Sequence, residues 1–277
     1  MKHRPEDISC VWDAIKRFAV LICGALTMAA CGAYTPAMVD IPLIAHQGDG
    51  HADLSISTLN SYSYASLNGS LSYGLTDEVA IQVAGGTDFE HNGHVMLAAG
   101  RYHAAADGRM VMEFYGGVAA GRMHTYNALY DEPCYECYET RMMPGGRRIP
   151  MLAGGNNMET GYYGRFFAQA DFGLVSIVDL FDIGMAHSLG YTMGHLDEHH
   201  GLRVEQATVR GRTGLLATPL VVGYDISCVT LGSHLMLRVG GRHLKFTAQL
   251  GWEIPLLSFG DRAVGGMSLS CGMNYRF

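Results

Sequence analysis

The sequence predicts an all-β protein: an antiparallel, up-and-down transmembrane β-barrel of about ten strands (range about 8–12) behind an N-terminal signal helix and a tether. Three observations predict it. From residue 51 onward apolar residues recur with period two, the spacing of a pleated strand. The connections between these segments alternate between short and long, as in bacterial barrels with tight turns on one side and large loops on the other. The composition agrees: 36 of 277 residues are Gly, only 16% are charged, and 48% are hydrophobic. An ordinary soluble domain carries roughly 7% Gly and roughly 25% charged residues. The net charge of −7 and the lack of a basic block exclude nucleic acid as a partner. No apolar stretch is long enough for a spanning helix.

The chain begins with export features. Lys16-Arg17 precede an apolar run from Phe18 to Ala30, so residues 1–30 read as a lipoprotein signal peptide. Leu26-Thr-Met-Ala-Ala30 before Cys31 has the form of a lipobox, with Met28 where Leu is usual. Cys31 is then the first mature residue and the lipidation site. Ordinary cleavage nearby and an uncleaved anchor are the alternatives. Residues 31–50 contain Pro36 and Pro42 and no clear period, and read as an extended periplasmic tether. Export permits disulfides among Cys134, Cys137, Cys228 and Cys271.

The barrel occupies 51–277. Strands are expected at about 51–58, 63–74, 79–88, 94–103, 109–124, 162–174, 179–191, 227–239, 244–253 and 264–277. In the first half, Leu67, Leu71 and Tyr73 alternate with Ser66, Ser70 and Ser72; Val79, Ile81 and Val83 alternate with Ala80, Gln82 and Ala84; and Phe114 and Val118 alternate with Glu113 and Tyr115. Later, Phe166 and Ala168 alternate with Arg165 and Gln169, and Leu235 and Leu237 with His234 and Arg238. The clearest case sets Leu244, Phe246, Ala248, Leu250 and Trp252 against Lys245, Thr247, Gln249 and Gly251. The polar sides are rich in small residues with isolated charges, as in a narrow barrel interior, so the apolar sides face lipid. Tyr73, Tyr102, Phe181, Tyr275 and Phe277 gather toward one rim and Tyr191 and Trp252 toward the other, as interfacial girdles do. Short connections fall at 75–78, 104–108, 175–178 and 240–243; long outer loops are expected at 125–161 and 192–226. Leu220–Tyr224 has strand character, which leaves twelve strands open. An even strand number puts both chain ends in the periplasm.

Charged residues in the inward register are Glu113, Arg165, Asp171, Asp182, Arg238, Lys245 and Arg276, with Asp53 and Arg101. Opposite signs in a barrel of about ten strands suggest a hydrogen-bonded ion network that fills the lumen. A polar conduit and a catalytic set are the alternatives. Cys134-Tyr-Glu-Cys137 lies in the first long loop and His195 and His199 in the second. The favoured reading is a loop disulfide; the alternatives are no special role and a zinc site shared between the two pairs. No cofactor is expected beyond the covalent lipid on Cys31. Neither GxSxG nor HExxH is present, so the chain reads as a non-enzyme. His124 and His187 are the candidates if a rim enzyme is built from scattered residues.

Cys31-Gly-Ala-Tyr-Thr-Pro-Ala, the Gly74-Leu-Thr-Asp turn, the Leu244-Lys-Phe strand and the terminal Asn274-Tyr-Arg-Phe277 resemble the outer-membrane β-barrel lipoproteins of Bacteroidetes-type bacteria. The resemblance spans most of the mature chain. It implies an outer-membrane location, membrane lipid as the surroundings, and barrel-assembly machinery that reads Tyr275 and Phe277 as an assembly signal. It supplies no catalytic residues. The expected function is to present loops outward to an extracellular ligand, or to support the envelope. A narrow channel and a rim enzyme acting on lipid or peptide are the alternatives.

Overall fold

The computed structural model describes residues 40–59, 65–88, 93–126, 141–142, 148–149, 158–177, 180–209, 212–261 and 263–277. The period-two segments form β1 (Gly50–Leu59), β2 (Ala65–Gly74), β3 (Val79–Asp88), β4 (Gly93–Ala104), β5 (Met110–Tyr126), β8 (Met158–Ile177), β9 (Phe181–Val209), β10 (Arg212–Gly240), β11 (Leu244–Ser258) and β12 (Gly266–Arg276). Two-residue strands β6 (Arg141–Met142) and β7 (Arg148–Ile149) pair only with each other. The other ten close a barrel in which every strand is antiparallel to its neighbours, and β1 joins both β2 and β12.

The alternation has the predicted sense. On β10, Leu235 and Leu237 are 49% and 42% exposed on the outer face, while Met236 and Arg238 are each 1% exposed inside. Tyr73, Tyr275 and Phe277 project outward at the short-turn rim, where the Tyr275 and Phe277 rings stack at 6.2 Å. Tyr162 and Tyr191 are exposed toward the opposite rim. One segment is out of phase with expectation. On β4 it is Tyr102 that is buried inside and Arg101 that lies outside, against Glu78. Tyr102 is therefore no girdle residue: its hydroxyl donates to the Thr76 carbonyl at 2.6 Å and ties down the turn between β2 and β3.

Two expected boundaries change. Residues 192–226 are not a loop. β9 and β10 run on as one hairpin, paired from Val239↔Phe181 to Arg212↔Val209, with a register shift between Pro219 and Val221. Proline lacks the N–H that a regular ladder needs, so an irregularity at Pro219 follows from its chemistry. The stretch 40–49, placed in the tether by the sequence, lies against and within the barrel mouth. Of the expected loop 125–161, residues 125–126 and 158–161 belong to β5 and β8 and 141–142 and 148–149 to the small pair; its other residues lie outside the described part.

Outward and inward substitutions should differ in cost. Leu235→Ala should change stability by less than about 1 kcal/mol, because fluid lipid leaves no cavity. The neighbouring inward Met236→Ala should cost about 2–5 kcal/mol, as a packed-core truncation does. Urea unfolding of the two variants in the same detergent checks the difference.

Candidate functional site

The site is the short-turn end of the lumen, closed by the chain's own residues 40–45. Gly48 N donates to Gly74 O and Gly74 N to Asp49 O, both at 2.9 Å, which fixes the segment to the rim. The Asp49 carboxylate then accepts from the backbone N–H groups of Ala45 (3.1 Å) and His46 (3.0 Å) and from Arg276 Nη2 (2.8 Å). This turn sends the preceding residues into the barrel. Ile41, Leu43 and Ala45 pack on Val111, Val175, Ala186 and Met236. Ile44 packs on Ala80, Met96, Ala98, Tyr102, Tyr115 and Phe167. Each such aliphatic side chain gains about 1.5–3 kcal/mol from leaving water. Glycine makes room for them: a Cβ on Gly173 would lie 2.5 Å from a Leu43 methyl.

One carboxylate seats this floor. Leu43 adopts φ +57°, a left-handed conformation that a non-glycine residue holds only when its surroundings compensate. The conformation turns two successive N–H groups toward one point. Leu43 N donates to Glu113 Oε2 at 3.0 Å and Ile44 N to Glu113 Oε1 at 2.8 Å. The Tyr115 hydroxyl adds a third bond to Glu113 at 3.1 Å. Hydrogen bonds to a charged group contribute about 1.5–3 kcal/mol each. Arg238 Nη1 donates to the Pro42 carbonyl at 3.2 Å, Gln169 Nε2 to the Asp40 carbonyl at 2.9 Å, and Ser72 Oγ to the Asp40 carboxylate. The predicted inward charges thus meet a main chain as well as each other.

All seven predicted lumen charges point inward, but they split into separate groups. Lys245 Nζ lies 2.6 Å from Asp182, which also accepts from Ser176 N at 2.7 Å. Arg276 pairs with Asp49 at the rim. Glu113 and Asp171 are directly opposite on β5 and β8, and Asp171 is bonded by Gln169 at 2.9 Å. Arg165 does not reach Asp171. It pairs with Glu253 at 2.7 Å, nearer the long-hairpin end, where Thr230 Oγ1 also donates to Glu253. The sequence reading missed Asp40, Asp49 and Glu253. The available signal for the floor was Ile41-Pro-Leu-Ile-Ala45, an apolar run where a solvated tether would be polar.

Other candidates are dispersed. His187 faces outward and bonds Ser233 Oγ at 2.9 Å. Cys31, Cys134, Cys137 and the side chains of His124 and His199 lie outside the described residues. Cys228 (buried) and Cys271 (exposed) are free thiols. Of the proposed metal pair His195 and His199, only the His195 side chain is described. Both are on β9, four residues and about 13 Å of strand apart. His195 sits beyond the membrane band with Nδ1 at 2.8 Å from Asp225 and Nε2 at 3.4 Å from Asp197. The bond to Asp225 raises its pKa above the ordinary 6.5, and Asp197 adds to the effect.

Two outcomes follow. Glu113→Ala should release the floor, so that Ile44→Cys becomes reactive toward a water-soluble maleimide, while Glu113→Gln, which keeps one acceptor oxygen, should give intermediate labelling. His195 should titrate above 6.5 by NMR and fall toward 6.5 in Asp225→Asn. A raised folded-state pKa means that the contact stabilises the hairpin fully below 6.5 and is lost as pH rises through the raised value.

No protein-family model matches the chain, and no curated protein matches it in sequence. Solved structures do. The outer-membrane protease OmpT from Escherichia coli is similar over 83% of this chain and 97% of that one, at 9% identity and a TM-score of 0.50. Neisserial surface protein A is similar over 83% of this chain and 95% of that one, at 10% identity and a TM-score of 0.32. The N-terminal barrel domain of Pseudomonas aeruginosa OprF covers 83% and 98%, at 12% identity and a TM-score of 0.29. The likeness at such identities is one of fold: this chain has the outer-membrane β-barrel fold of Gram-negative bacteria.

Proposed function

We propose that the chain is a non-enzymatic outer-membrane barrel, closed to diffusion by its own floor, that holds the β9–β10 hairpin outside the cell as a binding element. The observation that carries this reading is the length of the hairpin. β8 pairs with β9 only as far as Met158↔His199, and β11 pairs with β10 only as far as Cys228↔Ser258. Residues 259–261 add bonds to Ser227 and Asp225, and beyond them the two strands continue to Val209 and Arg212 with no further strand partner among the described residues. The eleven residues from His199 to Val209 extend about 33 Å.

A two-stranded ribbon has two open edges, and an open edge is a template for another strand. Nothing in barrel closure requires the ribbon, so its retention points to a partner bound by strand addition or by the ribbon's faces. The short turns then face the periplasm, together with the C-terminal Tyr275 and Phe277 read by the assembly machinery, and a lipid on Cys31 provides a second membrane attachment. The buried floor favours this reading over an open conduit.

Trypsin added to intact cells that express the full chain tests it. Cleavage within the ribbon, at Arg203, Arg210 or Arg212, with the barrel remnant retained in the membrane, is expected. Cleavage there only after the outer membrane is permeabilised would overturn the orientation and with it the function. Replacing residues 200–219 by an Asn-Gly turn should leave the heat-modifiable gel migration of the barrel unchanged; loss of that migration would make the ribbon structural instead.

A further inference from the structure

We propose that the short-turn rim carries a binding site for a phosphate ester, formed by Arg109, Arg242 and Arg276. Two depressions lie on this face, and both are bordered by Ala45 and His46. One, of about 530 Å³, holds Asp77, Glu78 and Arg101, and its single guanidinium is already paired with Glu78. The other, of about 360 Å³, sets Arg109, Arg242 and Arg276 against Asp49 and Asp107. Arg276 is paired with Asp49. The Asp107 carboxylate accepts from the backbone N–H of Arg109 at 3.1 Å and so serves its own turn. The guanidiniums of Arg109 and Arg242 have no ion pair or hydrogen bond among the described residues. Positive charge thus collects at one cavity of a chain whose net charge is −7.

The three arginines stand on fixed backbone. Gly108, at φ +66°, closes the turn between β4 and β5 by donating to Ala105 O at 2.8 Å, and Val175 N donates to Arg109 O at 2.7 Å. Arg276 N donates to His243 O at 2.8 Å, and His243 Nδ1 donates to Arg276 O at 3.0 Å, so the turn bearing Arg242 is tied to β12. Barrel closure therefore brings guanidiniums from positions 109, 242 and 276 to the same cavity. On separate open turns water alone would satisfy them. Around a cavity of ligand size they repel one another, and an anion between them removes that repulsion.

Phosphate suits the site better than carboxylate. A guanidinium fork grips two oxygens at once. A planar carboxylate has only two to offer, whereas a tetrahedral phosphate points its oxygens in several directions and engages more than one fork. A lipid head group is the source that the surroundings favour. Phe277 lines the cavity and stacks on Tyr275, which is exposed on the outer wall beside Leu244 of β11. Interfacial aromatics lie at the level of the head groups, so the cavity opens where lipid phosphates are, above an apolar wall for the acyl chains. The inference rests on the barrel fold and holds whichever compartment the short turns face.

Calorimetric titration of the full chain, folded in an uncharged detergent, tests it. The titrants are dihexanoyl phosphatidylglycerol, glycerol phosphate and glutarate. Saturable binding of both phosphate esters is expected, with glutarate weaker by about tenfold or more. Tighter binding of the lipid than of glycerol phosphate supports the proposal and assigns the site to a head group; equal binding supports it and assigns the site to a soluble phosphate ester. Arg109→Gln and Arg242→Gln should each weaken the esters by about tenfold. Arg101→Gln, which makes the same charge change at the other depression, should leave the affinity within about twofold. No saturable binding of either ester, glutarate binding as tightly as the esters, or an equal loss in Arg101→Gln would each overturn the proposal. Heat-modifiable migration confirms that each variant is folded.

Discussion

Hydrocarbon offers no hydrogen-bond partner to a peptide group, and the rest of this structure follows from that constraint. Every N–H and C=O within the bilayer must be paired by a neighbouring strand, so the sheet must close. Closure here is made between β1 and β12, from His51↔Arg276 to Leu59↔Ser268, and the terminal Phe277 completes it by exchanging two 3.0 Å bonds with Gly50. Once closed, a pleated wall sends alternate residues to lipid and to the lumen, which explains why so modest a fraction of charged residues coexists with so regular an apolar pattern.

Closure also creates the second problem, a narrow interior lined by groups that water cannot freely reach. Much of its lower half contains acids: Asp40, Asp53, Glu113, Asp171 and Asp182 against Arg238 and Lys245. Burying an unpaired charge costs several kcal/mol, so each must find a partner. The solution is partly borrowed from the main chain. Glu113 binds the N–H groups of Leu43 and Ile44, and the same bonds hold Leu43 in a left-handed conformation. Side-chain satisfaction and closure of the barrel mouth are thus one interaction. The apolar contacts of Ile41, Leu43 and Ile44 supply the burial, and the carboxylate supplies the register.

The two ends of the barrel are consequently unlike. At the short-turn end the chain folds back on itself and buries Ile41, Leu43 and Ile44 within the barrel mouth. At the other end Met123, Tyr163, Leu196, Ile226, Cys228 and Val264 form a smaller apolar cluster inside the wall, and β9 and β10 rise past it. His195, Asp197 and Asp225 mark where that ribbon leaves the wall, with the imidazole between two carboxylates.

By itself the sequence determined the fold class, a strand number of about ten with twelve left open, the boundaries of β1–β5 and β12 to within two residues, and the inward placement of Glu113, Arg165, Asp171, Asp182, Arg238, Lys245 and Arg276. It could do so because strand direction is a local property: a period of two, read against the lipid, sorts each side chain without reference to any distant residue. Three decisions were left to the tertiary structure. The phase of β4, with Arg101 out and Tyr102 in, depends on the Tyr102 bond to Thr76 across the turn. The continuation of β9 and β10 through residues 192–226 depends on two segments finding each other as partners, of which only Leu220–Tyr224 has strand character in the sequence. The floor depends on Glu113, some 70 residues away from the N–H groups it binds. Pairings of that range arise only when closure brings opposite walls within reach of one another, and no window of sequence contains both partners.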